Sequence, residues 1–340
     1  MSNLTGSVPP SAAVGETVPT AAQAGTEHGE AGPPAVHQVA VEEAAVEEAA
    51  VDAAAGQAAP VRERRRPALS PSRAGDFKQC PLLYRFRAVD RLPETASTAQ
   101  VRGTVVHAAL EQLYSLPADQ RHLDNARTLV APAWERTVAE SPELAQMFGA
   151  DELPEFLEAA QALVTRYFTM EDPTRFEPES CELRVEIELD DGVLLRGFVD
   201  RIDVAPDGQV RVVDYKTGAA PREIGEGRAM FQMKFYAVAL WRLRGVVPAQ
   251  LKLMYLADGQ VLQYRPDEDE LRRFERTLSA IWQAILQAGA TGDFRPNPSK
   301  LCDWCDHKSR CPAFGGTPPP YPGWPSDPAS GETNLLEHVG

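Results

Sequence analysis

At 340 residues with a formal net charge of −15, the chain has room for one large domain or two small ones, and its acidity at first opposes a polyanionic partner. The distribution removes that objection. Residues 1–60 and 316–340 hold eleven acidic residues and no Lys or Arg, which leaves only −4 for residues 61–315. Five cysteines exclude a disulfide-dense secreted scaffold, no charged-then-apolar leader opens the chain, and no run approaches the roughly twenty apolar residues of a membrane span. A reducing cytoplasm and no membrane partner are therefore expected.

Residues 1–66 read as a disordered acidic tail rich in Ala, Glu and Pro, without one aromatic residue. Ser70-Pro71-Ser72 then opens a helix expected to run to about Arg87, with Cys80 inside it. A second helix begins near Ala99, with Val101, Val105, Ala108 and Ala109 on an apolar stripe and His107 at its border. Residues 123–169 continue in helical pattern, broken at Pro132, Pro142 and Pro154, as a scaffold insertion. Alternation over 181–191 and 193–204 predicts two strands, and QVRVVDYK a third. Pro206-Asp207-Gly208 joins the last two as a hairpin. An amphipathic helix follows, carrying Gln232 and Tyr236 one turn apart on a shared face. A hairpin turning at Asp258-Gly259 comes next, then a helix ended by Gly289. A Pro- and Cys-rich segment closes the folded part, and 316–340 reads as a flexible tail. The class is α/β.

Two constellations carry chemistry. Asp200 ends one strand of the first hairpin, while Asp214 and Lys216 stand two apart in the other and so share a face. Two carboxylates beside one lysine suit a hard cation such as Mg²⁺ or Mn²⁺ with a charge-stabilising neighbour; the plainer account is an ion pair on a sheet. Glu182 and Glu186 lie on the leading strand and read as solvated. The other signal is Cys302-Asp303-Trp304-Cys305 followed by Cys311, with Cys80 the natural fourth thiol and Cys181 a buried one. Spacing alone leaves zinc and iron–sulfur both open.

Taken in order, RGTVVH, GFVDRID, VVDYKTG and QMKFY resemble the RecB-family nucleases of the PD-(D/E)XK superfamily, over roughly Ala68 to Phe314. The resemblance implies a restriction-endonuclease-like core over 67–315, a mixed sheet flanked by helices, with a helical insertion and a C-terminal iron–sulfur segment. It implies His107, Asp200, Asp214 and the Tyr215 carbonyl as ligands of a divalent cation. Lys216 would assist the attacking water, with Gln232 and Tyr236 positioning it and the substrate. Cys80, Cys302, Cys305 and Cys311 match the 4Fe-4S ligands of one subset of that family. The expected activity is a metal-dependent deoxyribonuclease in DNA repair or recombination, acting as an exonuclease on single-stranded or frayed DNA. No nucleotide-driven motor motif is present, so a separate helicase is the expected partner if the enzyme does not act alone. The competing expectation is a non-catalytic nucleic-acid-binding iron–sulfur subunit of a helicase–nuclease assembly.

Overall fold

The computed structural model describes residues 66–221 and 223–325. The tail expected over 1–66, apart from Arg66, and residues 326–340 of the C-terminal one lie outside the described residues. The chain enters with α1 (Pro71–Gln79) and α2 (Pro81–Tyr84). It continues through α3 (Thr98–Ser115), α4 (Leu123–Thr128), α5 (Val130–Glu140) and α6 (Glu152–Tyr167). The strands are β1 (Ser180–Glu188), β2 (Leu194–Val204), β3 (Val210–Lys216), β4 (Gln250–Tyr255) and β5 (Gln260–Tyr264). Helix α7 (Glu223–Arg244) links β3 to β4, and α8 (Glu268–Thr291) follows β5.

One mixed sheet runs β1-β2-β3-β4-β5, antiparallel throughout except for the β3/β4 pair. A parallel pair needs a long crossover, and α7 supplies it. Helices cover both faces. One core packs Val212, Leu253 and Ile202 of the sheet beneath Met233, Phe235 and Leu240 of α7 and Leu278 and Ile285 of α8. The other packs Val213, Tyr215 and Met254 against α3 and α6 through Val105, Leu110, Leu113, Val164 and Tyr167. The near-continuous apolar run of β3 follows from this, since a strand covered on both sides buries both registers. The helices within 123–169 thus build the second layer together with α3.

Local chemistry explains the ends. Ser70 accepts from the Arg73 N–H and Pro71 takes the first helical position, where its missing N–H costs nothing. Ser97 and Gln100 form a reciprocal capping box on α3. Three expectations are corrected. The first helix does not run through Cys80, which is extended (φ −162°, ψ 110°), because Pro81 disfavours helix at the residue before it. Helix α8 continues past Gly289 and ends on Gly292 in the left-handed region (φ 72°). The tail expected from residue 316 is packed as far as Pro325. Tyr321 Oη donates to the Gly289 carbonyl at 2.6 Å, and a Cβ on Gly289 would stand 2.3 Å from the Trp324 ring.

Candidate active site

The ladder between β2 and β3 stops at Arg201 opposite Val213. Just beyond it, the Tyr215 N–H donates to Asp200 Oδ2 at 2.7 Å. Asp200 is thereby fixed against the strand that carries Asp214 and Lys216. Asp214 is 1% exposed, and its Oδ2 lies 2.5 Å from Lys216 Nζ. Gln232, one helix away, joins the two: its Oε1 accepts from Lys216 at 2.8 Å and its Nε2 donates to Asp214 Oδ1 at 2.9 Å. Because one amide both accepts and donates here, its orientation sets the position of the lysine. Tyr236 stacks one turn further along α7, close enough to Gly197 that a Cβ there would meet its Cε1 at 2.8 Å. The glycine of GFVD is therefore required by that close approach.

His107 comes from α3. Its Nε2 lies 2.9 Å from the Tyr215 carbonyl, so the neutral tautomer that donates there leaves the Nδ1 lone pair free. Nδ1 is 3.5 Å from Asp200 Oδ2 and 3.8 Å from Glu182 Oε1. His107, Glu182 and Asp200 offer ligand atoms all within 4.8 Å of one another, the one such group among the described residues. Burial alone would disfavour the imidazolium, yet Asp200, Glu182 and Asp214 together push the His107 pKa up to about 9. Burial, then the nearby Asp214 carboxylate, pushes Asp200 up to about 7.

Glu182 is the residue that strand reasoning left out. It stands opposite Asp200 at the one position where the β1/β2 pairing lapses, with φ at +47°. A left-handed non-glycine costs about 1–3 kcal/mol, and two carboxylates facing each other across strands repel. A cation held by the two carboxylates would offset both costs. Only the identity of residue 182 was visible beforehand, because nothing in the sequence marks a left-handed glutamate.

A family model of the PD-(D/E)XK nuclease superfamily matches residues 68–312. The chain belongs to this superfamily. The "Gene 69 protein" of Mycobacterium phage D29 is 25% identical over 273 residues, covering 73% of this chain and 97% of the relative. Its namesake in Mycobacterium phage L5 is 24% identical over 294 residues, with the same shares covered. A crystal structure of a candidate exonuclease from Eubacterium rectale matches with a TM-score of 0.50 at 15% identity, over 71% of this chain and 87% of that one, a likeness of fold.

Nucleases of the PD-(D/E)XK superfamily use divalent metals, and the donor set here fits one: hard carboxylate oxygens beside one imidazole, with a backbone carbonyl in reach. Asp214, expected as a further ligand, has its two oxygens engaged by Lys216 and Gln232. Glu182→Gln is expected to weaken Mn²⁺ binding about tenfold or more. Because ligands must lose their protons, wild-type affinity should rise about tenfold per pH unit between 7 and 9. Calorimetry in buffers of different ionisation enthalpy reads both; affinity unchanged in the variant would remove Glu182 from the site.

The cysteines stand apart. Cys80, Cys302, Cys305 and Cys311 line one apolar cavity with Leu82 and Phe86, and all are free thiols. The Asn297 N–H donates to Cys80 Sγ and the Ser299 N–H to Cys302 Sγ, both at 3.3 Å. No three of the sulfurs lie within 4.8 Å of one another. Cys181 lies against the other core, and burial raises its pKa to about 12, as expected of an unreactive thiol. Among the described residues no helix is long and apolar enough to cross a membrane.

Proposed function

We propose that the protein is a divalent-metal-dependent deoxyribonuclease of the RecB-like kind, digesting single-stranded or frayed DNA from an end during repair or recombination. The observation that carries this reading is the convergence of His107, Glu182 and Asp200 beside the Asp214–Lys216–Gln232 triangle, of which Asp214 is buried. When bound, the cation supplies Lewis-acid activation of water and of the scissile phosphate. The chain's own residues do the rest. Lys216 Nζ is held where it can orient a water and meet negative charge developing on the phosphate oxygens. Gln232 and Asp214 together keep that ammonium from swinging away. Metal-dependent shortening of end-labelled single strands, faster than of blunt duplex and abolished by EDTA, is the expected result. No cleavage with either Mg²⁺ or Mn²⁺, or cleavage indifferent to chelator, would refute the reading.

The same proposal includes a 4Fe-4S cluster on Cys80, Cys302, Cys305 and Cys311. Support comes from the shared cavity, from the backbone N–H groups aimed at two of the sulfurs, and from the spacing. A single zinc at about 2.3 Å from four thiolates would hold them about 3.8 Å apart, tighter than is found here. A larger inorganic core suits the wider set. Anaerobic protein should be brown, and Cys302→Ala should lose the colour and melt lower, with cleavage per folded molecule retained. A colourless wild type containing zinc would replace the cluster reading.

A further inference from the structure

A cleft of about 1000 Å³ opens beside the acidic site and is continuous with it, since Asp200 and Gln232 line both. Its walls are unlike the rest of an acidic chain. Arg73 and Lys78 from α1 and Arg228 from α7 face it. Arg73 donates to the Ala68 carbonyl at 2.9 Å, Lys78 lies 4.2 Å over the Phe231 ring, and Arg228 donates to Gln79 Oε1 at 3.3 Å. Among the described residues none of the three has a carboxylate within ion-pair distance, while most other cations of the fold do. Phe198 stands on the same wall, two residues before Asp200, and is 53% exposed. A phenyl ring left half in water on the wall of a charged cleft contributes little to folding.

Cations without a carboxylate partner attract a polyanion, and an exposed ring beside them offers a surface for a planar, unpaired base. In a duplex the bases are already stacked and paired, so the ring has nothing to receive. We propose that this cleft is the track of a single polynucleotide strand, with Phe198 stacking on a base next to the reacting phosphate and Arg73, Lys78 and Arg228 holding the phosphates further along. This rests on the nuclease reading and adds to it the residues that select single strands. Phe198 acts here as a specificity residue, one that touches the substrate's bases rather than the phosphate under attack.

The test separates the two readings by measuring binding without cleavage. Fluorescence anisotropy of a labelled oligothymidylate in EDTA is compared with a duplex and with an abasic strand of equal length. Phe198→Ala should weaken binding to the oligothymidylate about tenfold, and Phe198→Trp should restore it. On the abasic strand the same substitution should change nothing. Lys78→Gln and Arg228→Gln should each lower the slope of log affinity against log salt by about 0.7. Equal binding by Phe198→Ala and wild type, or an equal loss on the abasic strand, would overturn the stacking assignment even if wild-type cleavage with Mn²⁺ stands. Phe198-dependent binding by a protein that never cleaves would leave the track in place and remove the nuclease. Since Phe198 is half in solvent, its replacement should leave the melting temperature unchanged, which keeps each outcome interpretable.

Discussion

Lys216→Ala should lower kcat by about 10²–10³-fold while Mn²⁺ binds as tightly as in wild type or more so. The ammonium is held by Asp214 at 2.5 Å and by Gln232 at 2.8 Å, so it serves the reaction from a fixed position rather than a mobile one. Removing it deletes a positive charge near the carboxylates, which repels a divalent cation less, and hence the two readouts move in opposite directions. Gln232→Leu should show a smaller loss, about tenfold, because the lysine survives but its orientation does not. Single-turnover cleavage beside metal titration measures both. A Lys216→Ala enzyme with wild-type turnover would show that the triangle is a structural ion pair.

Arg201→Leu should destabilise the fold by about 3–5 kcal/mol, lowering the melting temperature by about 10 °C. Arg201 is completely buried behind Asp200. It donates to Tyr114 Oη at 2.7 Å and Tyr215 Oη at 2.5 Å, and pairs with Glu171 at 2.5 Å and with Asp203 at 3.0 Å. Lys252 holds the other Glu171 oxygen at 2.6 Å. Tyr167 Oη stands 3.5 Å from Arg201 Nη1, so taking the guanidinium away leaves two carboxylates and three phenols around a void. Acid has a related effect on the wild type. Burial would push Glu171 up, but Arg201 and Lys252 overcome it and hold the carboxyl at about 2. Its contribution is complete above the unfolded value near 4.5 and is lost as pH falls from there through 2, by at most about 3 kcal/mol. Thermal melts followed by circular dichroism between pH 6 and 2 should show that decline in the wild type and a shallower one in Arg201→Leu. Parallel curves would place the acid sensitivity elsewhere.

What could be read in advance was whatever obeys a period. The β2–β3 hairpin announced itself by alternation around Pro206-Asp207-Gly208, and the two-residue spacing of Asp214 and Lys216 put them on one face. The four-residue spacing of Gln232 and Tyr236 did the same on α7. The structure brings these residues together with His107 and Asp200. Glu182 escaped because its backbone leaves the strand region, and no pattern of residue types encodes that. No pattern of residue types marks Arg201 as buried; its burial depends on Tyr114, Tyr167 and Tyr215 from separate elements, a tertiary fact. The break at Cys80 was legible in Pro81, whereas the end of α8 was not, since Gly289 and Gly292 look alike until Trp324 is seen lying on the first. Phe198 could be named as a hydrophobic strand residue, but only the cleft reveals that it stays in water.

The two halves of the site differ in how far apart their parts lie along the chain. Lys216 and Asp214 meet Gln232 across 16 and 18 residues, within one strand and the crossover helix that follows it. His107 reaches the Tyr215 carbonyl across 108. Short closures cost less chain entropy and form sooner than long ones. The charge-handling triangle is carried by one strand and the helix that follows it, and the Glu182 and Asp200 carboxylates by one pair of adjoining strands. Only the imidazole arm depends on a distant element, so a change that loosens the packing of α3 on the sheet would cost the site its nitrogen donor while leaving the lysine in place.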